Sequence, residues 1–298
     1  MSHYHRFIIA ASLLFASNAY AVDFFFDALY WRATETIDWS LNNNLSTPNQ
    51  VITYNTIDCH YEPAFRVGVA TTGSTWKGDF NYTRFYTTSS TGAKGNLTST
   101  YLGGKIAQGS NFFNTGQVYS KIDFNMFDLD LKQSIYATRA IIISPIIGLR
   151  GGWINQSIIT DFQGTVSISE QVKNNFKGIG PKIGIATKWI VDSENKDKKY
   201  SIFADFTASY LWGNWKITDV VHGSSATTIY TNVGSRNLGA FTTQGIIGIG
   251  LDYKSLAVKF GYEISDWFNQ YQVLDDGTGG HNNDLILQGL TLSFTYRF

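Results

Sequence analysis

The sequence is short of the residues on which soluble and disulfide-stapled domains depend. It has one cysteine, Cys59, and four prolines in 298 residues. A single cysteine cannot form a disulfide within its own chain, so it is either a free, unused (spare) thiol or the partner of a thiol in another molecule. Charged residues make up 15% of the chain, against about 25% in ordinary globular proteins. These shortages argue against a disulfide scaffold and against an ordinary soluble domain.

Several functional motifs are also missing. The sequence has no basic stripe or Lys/Arg cluster, which argues against nucleic acid as a partner. No Cys/His spacing matches a zinc site. The glycines at 178–184 and 245–250 are not followed by a helix, as a dinucleotide site requires. We therefore predict no metal, no cofactor and no enzymatic activity.

The N-terminus has the features of an export signal. A short basic start with Arg6 precedes the apolar run 7–15, and residues 19–21 match the small-x-small cleavage pattern. The apolar run is too short to cross a membrane, which takes ~20 residues. We predict a cleaved signal peptide over residues 1–21 and a single mature domain over residues 22–298.

What the sequence has in abundance is aromatic residues and alternation. Phe, Tyr and Trp make up 15% of the chain. In the last segment Leu290, Leu292, Phe294, Tyr296 and Phe298 alternate with polar residues, which predicts a strand with one apolar face. The terminal aromatic resembles the assembly signal of outer-membrane barrels. We assign that signal to Phe294, Tyr296 and Phe298.

The same alternation recurs in about ten segments, with 8–12 strands as the range. Long polar connections alternate with short ones, which is typical of a transmembrane barrel. The predicted strands are 23–34, 61–72, 75–87, 116–131, 135–157, 176–192, 199–215, 238–254, 255–268 and 284–298. The predicted long connections are 35–60, 88–115, 158–175, 216–237 and 269–283. The fold class is therefore all-β: a single transmembrane antiparallel up-and-down β-barrel with long extracellular loops and short periplasmic turns.

In each predicted strand, the residues of one parity (every second residue) are apolar and those of the other parity are polar. The polar parity is predicted to line the barrel. A charge on a lipid face costs about 2–4 kcal/mol near the midplane, so charges are expected in the lumen. Asp128 and Asp130 lie on the opposite parity from Asp123, and a bulge near Met126-Phe127 would reconcile them. The candidate pore-lining residues are Asp27, Arg66, Asp79, Lys121, Asp123, Arg150, Lys182, Asp205, Lys259, Glu263 and Arg297. These side chains of both charges either line a water-filled channel or form ion pairs that block it. Ten strands leave only a narrow lumen.

Several segments resemble a known family. IDFNMFDLDLKQS (122–134), SPIIGLRGGWINQ (144–156) and GIGPKIGIATKWIV (178–191) follow one another in the order found in the Legionella-type major outer membrane protein family. The first strand, FFFDALYWRA, and the closing LQGLTLSFTYRF are also similar. The resemblance implies a pore-forming outer-membrane barrel and brings no catalytic motif.

The sequence thus predicts a porin-like protein of the bacterial outer membrane that forms a narrow channel for passive diffusion of small solutes or ions. The predicted partners are outer-membrane lipid and lipopolysaccharide, the barrel-assembly machinery and small solutes, with a homo-oligomer left open. One alternative is an adhesion or binding barrel that works through its extracellular loops. A less favoured one is a rim-sited protease that uses His60, His222 or His281 with a neighbouring Asp.

Overall fold

The computed structural model describes residues 21–35, 37–44, 51–72, 76–109, 111–191, 197–223, 228–270 and 284–298. These residues form thirteen strands and one short helix. In chain order they are β1 (Ala21–Thr34), β2 (Asp38–Asn44), β3 (Val51–Thr56), β4 (Tyr61–Thr72), β5 (Trp76–Ser99), α1 (Leu102–Gln108), β6 (Phe113–Gln133), β7 (Ile135–Tyr136), β8 (Ile141–Gly164), β9 (Ser167–Val191), β10 (Lys198–Gly223), β11 (Thr228–Tyr253), β12 (Leu256–Trp267) and β13 (Leu285–Arg297). Residues 1–20 of the predicted signal peptide and His281 lie outside the described residues.

Ten strands close into an antiparallel barrel. The order around it is β1, β4, β5, β6, β8, β9, β10, β11, β12 and β13, and β13 pairs with β1 to complete the ring. That closing pair runs in unbroken register from Asp23 opposite Arg297 to Thr34 opposite Ile286. Closure leaves no exposed edge, as a strand in hydrocarbon requires. The predicted ten-stranded barrel is confirmed.

An apolar band surrounds the outside of the barrel. It is built from the outward parity of the strands, as in Phe24 and Phe26 of β1 and Ile247 and Ile249 of β11. Ile249 is 62% exposed. A large apolar surface of this kind is stable in lipid and unstable in water. We call the rim at which β1 begins and β13 ends the periplasmic rim. The opposite rim is the extracellular rim.

The strands continue well past this band on the extracellular side. On β10 the exposed large apolar side chains end at Trp212, but the strand continues to Gly223. The sequence placed long connections at 88–115, 158–175 and 216–237, and those boundaries are wrong, because much of each is strand. The strands stay hydrogen-bonded to each other beyond the membrane because the inward side chains of these extensions pack against one another.

The predicted strand 135–157 is divided in the structure. A two-residue strand, β7, is separated from β8, and both of its residues pair with β8. β8 then runs to Gly164 and extends beyond the apolar band. The predicted strand is longer than a membrane strand of about 9–11 residues, and the structure explains its length by a break at one rim and a projection at the other.

A hairpin and the helix fill the extracellular mouth. β2 and β3 pair with each other, and β2 also pairs with the far end of β5, where Ser40 lies opposite Ser99. α1 follows β5 directly and contacts β5, β9, β10 and β11. No helix in the described ranges is long and apolar enough to cross a membrane.

Candidate channel lumen

Arg66 is the centre of the first half of a charged network in the lumen. Its Nη1 lies 3.1 Å from Asp27 Oδ2, and its Nη2 lies 2.7 Å from Glu263 Oε1. Glu263 also accepts hydrogen bonds from the Thr291 hydroxyl, at 2.9 Å, and from the Gln244 amide. Glu263 and Asp27 are both almost fully buried. Buried carboxylates of this kind need a partner, and one guanidinium serves both.

Arg150 continues the network across the lumen. Its Nε and Nη2 lie 2.7 and 3.2 Å from the two oxygens of Asp128, a bidentate pair. The same guanidinium donates to the Gln244 carbonyl, which links the two halves. Lys182 Nζ bridges Asp128 and Asp130 at 3.2 and 2.7 Å. We call Asp27, Arg66, Asp128, Asp130, Arg150, Lys182, Gln244 and Glu263 together the ionic belt.

A polar cavity of about 270 Å³ lies on the periplasmic side of the belt. Six carboxylates and four cationic side chains line it. Among them, Lys132 Nζ contacts Asp79 Oδ2 at 2.6 Å. Nearer the periplasmic rim, Asp252 binds Lys188 at 2.5 Å and Arg297 at 2.8 Å. The periplasmic half of the lumen is therefore polar and holds both signs of charge.

An apolar layer lies on the extracellular side of the belt. The rings of Phe176 and Trp215 lie 4.3 Å apart, and those of Phe124 and Trp267 lie 5.4 Å apart. None of its members is more than 4% exposed. The layer comprises Leu29, Trp31, Ala33, Phe85, Ile122, Phe124, Met126, Ile154, Phe176, Leu211, Trp215, Ile217, Ala240, Trp267, Leu285 and Leu287. Close-packed side chains across a narrow barrel leave no room for a water column, so the lumen is closed at this level.

A buried polar group separates this layer from a second apolar cluster at the mouth. Gln156 Nε2 donates to both Glu35 oxygens at 2.9 Å, and Asn174 donates to Gln156 at 2.9 Å. Burial raises the pKa of Glu35 to about 8, and the hydrogen bond from Gln156 opposes the shift only in part. Above this group, Trp39 packs among Phe162, Phe113 and other apolar side chains. The mouth is thus closed as well.

Two carboxyl groups hold the start of α1 in the mouth. Gly104 N–H donates to Glu170 at 2.5 Å, and Gly103 N–H donates to Asp219 at 3.0 Å. A Cβ at Gly103 would lie 2.7 Å from Val221 and 2.8 Å from Asp219, so glycine allows this close approach. Burial raises the pKa of both carboxyl groups, and the charge of Asp219 raises the pKa of Glu170 further. We call these four residues the α1 latch.

The latch is expected to weaken as the pH rises. A carboxyl group whose pKa is raised when α1 is docked stabilises docking fully below its ordinary pKa, and this contribution is lost as the pH rises through the raised value. We expect the amide protection factors of Gly103 and Gly104 to fall with increasing pH, by up to about tenfold per pH unit for one proton. Hydrogen exchange, normalised at each pH to the intrinsic rate, measures this.

Glu170→Gln is the matched variant for the latch. A glutamine carbonyl still accepts from Gly104 N–H and carries no charge, so the fall in protection with pH should flatten while α1 stays docked. Glu35→Gln is the second control, because Glu35 titrates nearby with a pKa of about 8. Equal pH dependence in the wild type and in Glu170→Gln would assign the effect to another group.

The structure places nine of the eleven candidate pore-lining residues on the inward face. Of these, Asp27, Arg66, Arg150, Lys182 and Glu263 belong to the ionic belt. The other four are Asp79, Asp205, Lys259 and Arg297, of which the first three line the cavity. Whether any of them conducts a solute stays a prediction.

Lys121 and Asp123 are corrections, because both lie on the outer face of β6. Their neighbours Ile122 and Phe124 are buried inside the barrel. The bulge expected near Met126-Phe127 is absent: β6 pairs with β5 and β8 without a register shift there. Without a bulge the parity of Asp128 fixes that of Asp123, and the two face opposite sides.

Sequence reasoning missed several residues of the lumen. Asp128 and Asp130 are absent from the predicted pore lining, because they lie on the opposite parity from Asp123. Both are central to the ionic belt. Lys132, on the same parity, was also missed. The signal was available, since 128, 130 and 132 alternate with the apolar 127, 129 and 131. Asp252 had the same kind of signal on β11.

The two described histidines do not form a protease-like pair. His222 Nδ1 lies 3.3 Å from the Thr228 hydroxyl. His60 lines a groove of hydroxyl-bearing residues. Within the described ranges neither has a carboxylate at ion-pair distance, so neither meets the geometry of an imidazole oriented by an acid. His281 lies outside those ranges.

Cys59 lies between β3 and β4 and packs against the apolar layer. Burial raises the pKa of its thiol to about 11, and the charges of Glu35 and Asp58 add to the shift. A thiol that stays protonated is a weak nucleophile. This favours the spare thiol over a partner in an intermolecular bond.

The closed barrel, its apolar band and its charged lumen agree with the sequence comparison. Residues 16–298 match the family model described as Legionella pneumophila major outer membrane protein precursor. The chain belongs to this major outer membrane protein family. As a member it is a β-barrel of the bacterial outer membrane. No curated protein sequence matches it.

The solved structures that are similar to this family member share little sequence with it. The P. putida toluene transporter TodX is 9% identical, with 97% of this chain and 92% of that chain covered and a TM-score of 0.35. The CymD monoaromatic hydrocarbon channel is 8% identical, with coverages of 100% and 93% and a TM-score of 0.28. The β domain of the Bordetella autotransporter BrkA is 8% identical, with coverages of 94% and 99% and a TM-score of 0.26. Likeness at this level carries no argument about activity.

Proposed function

We propose that this barrel is a narrow, gated channel for the passive diffusion of small charged solutes or ions, and not an enzyme. The observation that carries the proposal is the cavity of about 270 Å³, lined by six carboxylates and four cationic side chains. A lumen that served only to fill the barrel would be packed with paired side chains. This one keeps polar space on the periplasmic side.

The apolar layer makes the channel a gated one. Solute that enters the cavity meets Phe176, Trp215 and their neighbours, which close the lumen toward the outside. Beyond them α1 and the β2–β3 hairpin occupy the mouth. Conduction therefore requires these elements to move, and a small single-channel conductance follows from the narrow barrel.

Lys259 offers a test of the channel through its ion selectivity. It lines the cavity, with its ammonium 5.2 Å from the centre of the Phe203 ring. We expect Lys259→Glu to shift the reversal potential in a salt gradient toward cations, because it replaces a positive charge with a negative one in a narrow lumen. Planar-bilayer recording on refolded protein measures both conductance and reversal potential.

Lys121→Glu is the matched control for this test. It makes the same charge change on β6, but its side chain lies outside the barrel, so selectivity should not change. The absence of discrete conductance steps at any voltage would remove the channel proposal. An equal selectivity shift in both variants would remove the assignment of Lys259.

We propose surface binding as a second candidate function, favoured by the β2–β3 hairpin. Val51, Ile52 and Tyr54 on β3 are each about half exposed, at 50%, 53% and 46%. They lie at the extracellular rim, where exposed apolar side chains are available to a partner. Cell-binding assays on protein with the hairpin removed separate this function from conductance.

We also propose the last strand as the contact for the barrel-assembly machinery. Phe294, Tyr296 and Phe298 all point outward and are 40%, 50% and 74% exposed. Phe298 also packs edge-on against Phe24 of the first strand, with ring centres 5.6 Å apart. An outward aromatic row at the strand that closes the barrel suits recognition before closure.

A further inference from the structure

A concentration of cations lies on the outer face of the barrel, away from the lumen. It extends over five adjacent strands, β5, β6, β8, β9 and β10, just beyond the apolar band on the extracellular side, and all of them except β8 contribute a cation. We call this set the basic rim. Its members are Arg84, Lys121, Lys173, Lys177 and Lys216.

The register of the strands places these cations in three adjacent cross-strand rows. The first row is Arg84, Asn125, Trp153, Lys177 and Asn214. The second is Tyr86, Asp123, Asn155, Asn175 and Lys216. The third is Thr88, Lys121, Ser157, Lys173 and Thr218. Neighbouring strands are about 4.8 Å apart, so the rows span roughly 19 Å of surface.

The row directly below the basic rim is apolar. It consists of Tyr82, Phe127, Gly151, Ile179 and Trp212. Ile179 and Trp212 are 60% and 65% exposed. The rim therefore begins where the lipid-facing surface ends, at the level of the lipid headgroups.

The protein itself neutralises little of this charge. Asp123 is the one acidic residue in the three rows, and it lies 4.0 Å from Arg84. In the described part of the chain, none of the four lysines has a carboxylate at ion-pair distance. On the strands of the opposite side, the described outward residues near the same rim include one cation, Arg32, and one acid, Asp266. The positive charge is thus local to one side of the barrel.

A groove with hydroxyl groups adjoins the cations. It has a volume of about 400 Å³ and is lined by residues that include His60, Thr88, Ser90, Tyr119 and Lys121. The Lys121 ammonium also lies 5.2 Å from the centre of the Tyr86 ring. Hydroxyl groups donate and accept hydrogen bonds, which suits the sugar hydroxyls of a glycolipid.

We propose that the basic rim is a binding site for the phosphorylated glycolipid of the outer leaflet, the lipid A part of lipopolysaccharide. Phosphates bind the lysines and Arg84, the sugar backbone lies along the hydroxyl groove, and the acyl chains cover the apolar row below. Clusters of lysine and arginine bind phosphate groups at a membrane surface through charge-assisted hydrogen bonds. The proposal rests on the outer-membrane location and is independent of the channel.

Equilibrium binding of bis-phosphorylated lipid A to the refolded, detergent-solubilised full chain tests the site. The variant is the triple substitution Lys121→Gln, Lys173→Gln and Lys177→Gln. Each cation near a membrane surface contributes roughly fivefold in affinity at low salt. We expect the triple variant to bind at least about tenfold more weakly than the wild type.

The matched control is Lys198→Gln, Lys199→Gln and Lys254→Gln, which removes three exposed lysines at the periplasmic rim. It makes the same change in net charge, and a micelle leaves both rims accessible. Circular dichroism and heat-dependent gel mobility establish that each variant is folded. A loss confined to the basic-rim variant supports the proposal. Equal affinity of the two triple variants for lipid A overturns the proposal. Equal affinity of the wild type for lipid A with and without its phosphates also overturns it.

Discussion

Replacing Phe176 and Trp215 together by alanine is expected to raise the conductance of the channel, because it removes the inner of the two apolar closures of the lumen and leaves only the mouth to open. Their rings lie 4.3 Å apart in the apolar layer, and both are about 1% exposed. In the described part of the chain the Trp215 indole N–H has no hydrogen-bond partner, as expected for a dry layer. Two small side chains here would open the layer to water, and the conductance in a planar bilayer should rise severalfold or more above that of the wild type.

The cost to stability is expected to be large, since removing one buried aromatic ring costs about 3–5 kcal/mol in a packed core. The barrel must therefore be shown to be folded before conductance is compared. Trp153→Ala with Trp212→Ala is the control, because both side chains point outward, with 39% and 65% exposed. A folded Phe176/Trp215 variant that conducts no better than this control would mean that the barrier lies elsewhere, with α1 as the next candidate.

The sequence predicted the membrane part of the barrel well. The strand predicted at 61–72 has those bounds in the structure, and the last two strands differ from prediction by one residue at each end. Within the bilayer the rule is simple: apolar side chains face lipid and polar ones face the lumen. Alternation alone therefore places Arg66 and Glu263 inside.

Beyond the bilayer the same rule is reversed, and this is why part of the site was missed. On β8 Leu149 faces out and Arg150 faces in, but farther along the strand Ile154 and Ile158 face in and Ser157 faces out. The outside there is water and the inside is a packed core. A sequence shows the alternation but does not show where the surrounding medium changes.

Lys121 and Asp123 were misplaced for this reason. They are polar and they alternate with apolar Ile122 and Phe124, which in a membrane strand would put them in the lumen. At their height on β6 the apolar residues form the interior. The apolar layer and α1 depend on side chains from many strands that meet only after closure, so local alternation could not predict them.

Removing the guanidinium of Arg66 is expected to have the second large effect, on stability. Asp27 and Glu263 both pair with it, at 3.1 and 2.7 Å, and both are almost fully buried. Arg66→Ala leaves two buried carboxylates without that partner, and breaking a buried ion pair in this way costs about 3–5 kcal/mol. The free energy of unfolding by urea in detergent or lipid measures the loss.

Two further variants separate the missing charge from the missing side chain. Arg84→Ala removes an exposed arginine on the outer face, 4.0 Å from Asp123, and should cost no more than about 1 kcal/mol. Arg66→Met with Asp27→Asn and Glu263→Gln removes all three charges while keeping the volume, and should recover most of the loss. If Arg66→Ala is as stable as Arg84→Ala, the carboxylates must find water in the adjoining cavity, and the ionic belt is then a wetted wall and not a structural cross-link.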